Sequence, residues 1–213
     1  MLLLALAMLA VGVLHTAVPD HWAPLAVIAR QHGWTAARTA RMAVFAGFGH
    51  TFTTVLIGSL FWLAGVTAAQ RFGRGVDDAT SIALVGFGAW MAVTSWRELR
   101  AGEQPHDHDE PITRLDRPSA RQTLLLILGS SPSVEALPVF FGAARYGLWF
   151  VAVVAGLFAI STIATYVAFS LAARSGLAVL RLGKLERYGE VLSGAVVALL
   201  GAAYFLLSLR GTS

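Results

Sequence analysis

Long apolar runs constrain this chain more than any other feature, because a segment of about 20 apolar residues matches the thickness of a bilayer. Five segments approach or exceed that length: Ala43–Val66, Thr80–Trp96, Thr123–Ala144, Leu148–Ala173 and Tyr188–Leu209. Hydrophobic residues make up 56% of the chain and charged residues only 13%, unlike the composition of a soluble domain. We therefore expect helices that cross a lipid bilayer.

A further apolar run, at the start of the sequence, is interrupted by HTAVPDHWAP, His15 to Pro24. The preceding MLLLALAMLAVGVLH is similar to the core of a signal peptide, but it has no basic leader, and Pro-Asp-His-Trp follows in place of small residues. Pro19 removes a backbone hydrogen bond, so we expect a membrane helix that breaks near His15–Pro19 and resumes toward Arg30. Non-helical backbone at membrane depth needs protein or a wet cavity around it, which makes the break a candidate site.

Basic residues fall mainly on one side of the six predicted spans. Twelve of the 16 Lys and Arg residues lie in the segments that would share one side. The positive-inside rule then places both termini outside a cell inner membrane and the polar residues 99–121 in the cytoplasm. Because these charges are explained by orientation, we expect no nucleic-acid partner.

The two halves of the sequence are weakly similar. A shift of 113 residues aligns PDHWAPL with PSVEALP and GAWMAVTS with GAAYFLLS. Three spans per half is an odd number, so related halves would insert with opposite topology. We predict an all-α polytopic membrane protein of six transmembrane helices: a 3+3 inverted repeat with broken helices 1 and 4. Its units would be residues 1–98, a cytoplasmic linker 99–121, and residues 122–213.

Four polar residues of the first half form a candidate metal-ligand set: His15, Asp20, His21 and His50. The chain has no cysteine, so a metal would need nitrogen and oxygen ligands, a set that suits nickel, cobalt or zinc. Gly47 and Gly49 would let the second helix approach the first closely. In the alternative interpretation each histidine is a hydrogen-bonded packing residue, and Asp20 with His21 caps the next helix.

Other polar residues within the spans are candidates for a transport path, because polar groups in a bilayer normally face a partner or a cavity. They are Thr51, Thr54, Ser130, Ser131, Ser133, Glu135, Ser161, Thr162 and Thr165. The serines could instead satisfy backbone groups freed by a helix break, and Glu135 could be a helix-start residue. In the linker, His106 and His108 belong either to a solvated acidic loop or to a weak metal-capture site.

These motifs resemble a known group of transporters. The pattern His-x4-Asp-His in HTAVPDH, followed by GFGHTFTT and then by GSSPSVEALPV, is similar to the nickel/cobalt transporter family, NicO-type and related, of the lysine-exporter superfamily. The resemblance implies that His15, Asp20 and His21 form the metal-selecting motif and that His50 is the second-helix histidine. The sequence departs from the family at Thr16, where alanine is usual, and at SSPSVEA, where many members carry cysteine.

The combined expectation is a membrane permease, not an enzyme, for a divalent transition-metal cation. Nickel or cobalt, and after them zinc, would be the transported ion, with no permanently bound cofactor. The lipid bilayer would be the main partner, and the chain could form a homo-oligomer. The histidine-bearing loop is similar in position to the longer histidine-rich loop of some exporters, and this resemblance favours efflux over uptake. The alternatives are a proton-coupled permease of the same fold for an organic or sulfur-containing solute, and a membrane metalloenzyme or haem protein; the sequence has no HExxH motif.

Overall fold

The computed structural model describes residues 1–72, 75–101, 132–176 and 183–210, and in these ranges the chain is helical without strands. The helices are α1 (Leu2–Ala17), α2 (Pro19–Gln31), α3 (Ala36–Phe72), α4 (Gly75–Ala101), α5 (Leu137–Ala143), α6 (Leu148–Arg174) and α7 (Gly183–Arg210). Short 3-10 turns, Val134–Ala136 and Ala144–Tyr146, flank α5.

Four helices are long and apolar enough to cross a membrane: α3, α4, α6 and residues Val191–Leu209 of α7. The helices α1 and α2 pass the same test together as one span bent by 43°. For the described residues, the prediction of an all-helical chain with helices long and apolar enough to span a membrane is therefore confirmed. The first nine residues of the predicted span Thr123–Ala144 and residues 102–121 of the predicted linker lie outside the described ranges.

The predicted break in the first span lies at Val18, whose backbone is extended, with φ −64° and ψ 136°. Pro19 then opens α2 at a position where its missing N–H and fixed φ are favourable. The break frees carbonyl groups of α1, and the Trp22 indole donates to one of them, the Ala17 oxygen, at 3.0 Å. Proline and tryptophan thus stabilise a sharp corner in an otherwise apolar segment.

The break also divides the apolar core. Residues of α1 pack with α5 and α6 in one cluster that includes Met8, Phe140 and Phe158. Residues of α2 pack with α3 and the second part of α6 in another cluster that includes Leu25 and Tyr166. The polar residues at the end of α1 and the start of α2 consequently lie at the junction of the two clusters.

One face of α3 is left uncovered by the protein. Phe48, Phe52, Leu56 and Leu60 recur at helical spacing, and each is more than half exposed. An aromatic and aliphatic stripe of this length on a spanning helix is a surface for lipid chains. His50, Thr51 and Thr54 of α3 are buried.

Glycines set the contact between α4 and α7. A side chain at Gly194 would meet the Ala92 nitrogen at 2.6 Å, and one at Gly88 would meet the Ala198 nitrogen at 2.5 Å. Such contacts are too short for any Cβ atom, so the two backbones approach as closely as small residues allow. This packing joins the last predicted span of the first half to the last span of the second.

Candidate metal centre

The corner between α1 and α2 brings two histidines together. His15 lies near the end of α1 and His21 near the start of α2. Residues six positions apart point away from one another on a regular helix, yet here the two ring centroids are 4.5 Å apart. The extended backbone at Val18 produces this proximity.

The third imidazole comes from α3. The His50 ring lies 5.5 Å from the His15 ring and 5.2 Å from the His21 ring, between centroids. His50 is completely buried and His21 is 5% exposed, while the His15 side chain is 19% exposed. The predicted grouping of the three histidines is thus present in the structure, in a pocket largely shielded from solvent.

The spacing of these rings fits a transition-metal ion. Each histidine offers one ligand nitrogen, and the three nitrogens lie within 4.8 Å of one another. In a tetrahedral site with metal–nitrogen bonds of about 2.0–2.1 Å, ligand nitrogens are about 3.3 Å apart. Small side-chain rotations would bring the three nitrogens, which lie within 4.8 Å of one another, to the separation of a tetrahedral site. Three neutral imidazoles form a borderline-soft donor set, which suits nickel, cobalt or zinc better than magnesium or calcium.

A carboxylate from the second half contacts this cluster. Glu135 lies in the 3-10 turn before α5, and its Oε1 is 3.1 Å from His15 Nδ1. Its other oxygen accepts a hydrogen bond of 3.0 Å from the Ser133 hydroxyl. Both Glu135 and Ser133 are buried. The corner between α1 and α2 therefore meets the segment before α5, the first supplying imidazoles and the second a carboxylate.

Two further hydrogen bonds connect the halves of the chain close to the histidine cluster. The Thr54 hydroxyl donates to the His50 carbonyl oxygen at 2.9 Å and accepts from the Ser133 backbone N–H at 3.0 Å. The Tyr166 hydroxyl of α6 donates to the His21 carbonyl oxygen. The Ser133–Thr54 bond and the Tyr166–His21 bond each join the two halves of the chain.

The remaining predicted path residues on α6 lie beside α1. Ser161, Thr162 and Thr165 are buried, and Ser161 donates to the Leu157 carbonyl oxygen at 2.7 Å. Gly12 of α1 lies so close to Ser161 and Thr162 that a side chain there would collide with both. Within the described ranges the hydroxyls of Thr51 and Thr162 are buried without a hydrogen-bond partner.

Several predicted site residues lie outside the described part of the structure. The structure describes the backbone of Asp20, which belongs to α2, but not its side chain. The other predicted residues outside the described ranges are Ser130, Ser131, His106 and His108.

One packing expectation was wrong. A side chain at Gly47 would meet Ile163 at 3.2 Å and Tyr166 at 3.7 Å, so this glycine lets α3 approach α6 instead of the first helix. The sequence analysis also missed Tyr166. A phenol in an apolar span is a signal that a buried acceptor lies nearby, but the identity of that acceptor depends on the tertiary packing.

Comparisons with protein-family models, with curated proteins and with solved structures give no match to this chain.

Proposed function

We propose that this protein is a multi-pass permease for a divalent transition-metal cation, with nickel or cobalt as the principal substrate and zinc next. The observation that carries the proposal is the convergence of His15, His21 and His50, whose ligand nitrogens lie within 4.8 Å of one another. Three imidazoles buried between two apolar clusters have a high cost unless they serve a site. A cation held by the cluster would be cargo in transit, and the chain needs no resident cofactor.

The contacts between the halves support a six-span inverted repeat. Gly88 approaches the backbone of Ala198, and Gly201 approaches the backbone of Val85. A shift of 113 positions, the offset found in the sequence, aligns Gly88 with Gly201 and Val85 with Ala198. Such reciprocal contacts are those that a two-fold axis between the halves would generate.

The contacts at the breaks are reciprocal as well. The Tyr166 hydroxyl binds the backbone of His21, and the Thr54 hydroxyl binds the backbone of Ser133. Tyr166 follows Thr54 by 112 positions, and Ser133 follows His21 by the same number. In inverted-repeat transporters the substrate site lies where two such broken helices meet.

The proposed mechanism is alternating access. A hydrated cation loses water as it meets the imidazoles, since His50 and His21 are closed off from solvent in this conformation. Rocking of one half against the other would then expose the site to the opposite side of the membrane. The positive-inside rule places the termini outside the cell inner membrane, and the histidines of the 99–121 linker favour efflux.

The test is binding and transport by the purified full chain. Isothermal titration with nickel, cobalt, zinc and manganese should show binding of the first three, and liposomes containing the protein should accumulate radioactive cobalt or nickel. The double substitution His15→Ala, His21→Ala should weaken binding by more than about 100-fold, because loss of outer-shell partners alone costs about 10- to 100-fold.

His32→Ala is the matched control, since this histidine is exposed beyond the end of α2. Equal metal binding by the wild-type protein and the double variant would refute the proposal. If no metal bound at all, the same fold would be assigned to the transport of an organic or sulfur-containing solute.

A further inference from the structure

The carboxylate of Glu135 is not one more member of the histidine cluster. Among the described residues, the group whose ligand atoms lie within 4.8 Å of one another consists of His15, His21 and His50. Glu135 contacts only one of these rings in a hydrogen bond, through His15 Nδ1 at 3.1 Å. Its described contact with the cluster is therefore through His15.

This contact indicates which nitrogen of the His15 ring carries the proton and which carries the lone pair. An ionised carboxylate can only accept hydrogen bonds, and Glu135 accepts through both oxygens, from His15 Nδ1 and from the Ser133 hydroxyl. The proton of the neutral His15 ring is then on Nδ1, and the lone pair is on Nε2. A metal-binding histidine commonly donates its second ring N–H to a carboxylate, which orients the ring and raises its basicity.

The hydrogen bonds that hold Glu135 extend to the other half of the chain. Ser133 binds the far carboxylate oxygen at 3.0 Å, and the Ser133 backbone is in turn bound by Thr54 of α3 at 3.0 Å. Thr54 is one turn after His50 and bonds to its carbonyl oxygen. A chain of hydrogen bonds thus runs from His50 through Thr54, Ser133 and Glu135 to His15.

We propose that Glu135 is the positioning residue of the metal site: it holds His15 with Nε2 directed at the cation and does not itself bind the cation. This inference rests on the proposed function and adds one element to it. Three ligands come from the first half, but the residue that orients one of them comes from the second. Full affinity therefore requires the two breaks to be in contact, and their separation weakens the hold on the cation.

The experiment is a titration of the full chain in detergent with cobalt chloride, followed by the visible absorption of bound Co²⁺, whose band positions and intensities report the ligand set. Glu135→Ala should lower the affinity for Co²⁺ by about 10- to 100-fold without changing the spectrum at saturation. Glu135→Gln, which keeps an acceptor oxygen without the charge, should have an intermediate affinity. Thr54→Val should also weaken binding, although Thr54 contacts neither Glu135 nor the His15 ring.

Glu98→Gln is the control, because it removes a carboxylate from an exposed position on α4 and should leave the affinity unchanged. If both Glu135 variants bound Co²⁺ with wild-type affinity, the inference would be overturned. A changed spectrum of bound Co²⁺ in Glu135→Gln would also overturn it, because it would show that Glu135 is a direct ligand. These outcomes leave the permease proposal intact. Failure of the wild-type protein to bind cobalt, nickel or zinc would overturn both. Thermal unfolding without metal, followed by tryptophan fluorescence, shows which variants are folded.

Discussion

An ion pair between the halves, in which the carboxylate is buried, provides a quantitative test of the structure. Asp77, in the first turn of α4, pairs with Arg145 in the 3-10 turn after α5. The Tyr204 hydroxyl of α7 donates to Asp77 Oδ1 at 2.6 Å and lies 3.2 Å from the Tyr146 hydroxyl. The Asp77 side chain is 10% exposed and that of Arg145 is 32% exposed, so the carboxylate is the more deeply buried partner.

Arg145→Gln leaves the Asp77 charge buried, and among the described residues the Tyr204 hydroxyl remains as its hydrogen-bond donor. Removing one member of a buried pair costs about 3–5 kcal/mol, and the partial exposure of Arg145 places the expected loss near the lower limit, about 3 kcal/mol. Adding Asp77→Asn removes the stranded charge and keeps an oxygen that accepts from Tyr204. The double variant should therefore recover most of the loss and lie within about 1 kcal/mol of the wild-type protein.

The assay is reversible unfolding of the purified protein by sodium dodecyl sulfate in mixed micelles, followed by tryptophan fluorescence. Asp77→Asn alone completes the double-mutant cycle. The double variant should unfold at a higher detergent fraction than Arg145→Gln, because it no longer buries an unpaired charge. If the two variants unfold at the same detergent fraction, the burial of the Asp77 charge is not the source of the cost, and the reasoning is refuted.

Two further predictions follow from single contacts. Tyr166→Phe removes the hydrogen bond to the His21 carbonyl oxygen and should lower the free energy of unfolding by about 1 kcal/mol, measured in the same micelles; an unchanged value would show that water replaces the hydroxyl. Gly194→Ala places a Cβ within 2.6 Å of the Ala92 nitrogen and should destabilise the protein by about 1–3 kcal/mol. Gly86→Ala is the matched control, because a Cβ there meets nothing within 4 Å; equal effects of the two alanines would contradict the close packing of α4 and α7.

The break and the histidine cluster could be predicted from the sequence because their causes are local. Pro19 has no N–H to donate, so a helix must end or bend before it, and the histidines on either side are then free to converge. His50 could be added because a buried polar residue in a span needs a partner. The break and the cluster therefore follow from the positions of proline and of polar residues within apolar runs.

The cross-half contacts could not be predicted in the same way. Glu135 was assigned to the transport path, but its bond to His15 spans 120 positions of the chain and depends on how the two breaks face one another. Gly47 was assigned to the wrong partner helix for the same reason, since a small residue shows that some backbone comes close without showing which. The Asp77–Arg145 pair was missed because both residues are near span ends, where charges are ordinary.

The length of α3 affects how the protein sits in its membrane. Its 37 residues extend about 55 Å at about 1.5 Å per residue, whereas the hydrocarbon layer is about 30 Å thick. Such a helix must tilt, protrude into the headgroup region, or do both. Its first turns carry Arg38 and Arg41, whose guanidinium groups can pair with lipid phosphates there. Bilayer thickness and the proportion of anionic lipid are therefore expected to influence the angle at which α3 presents His50.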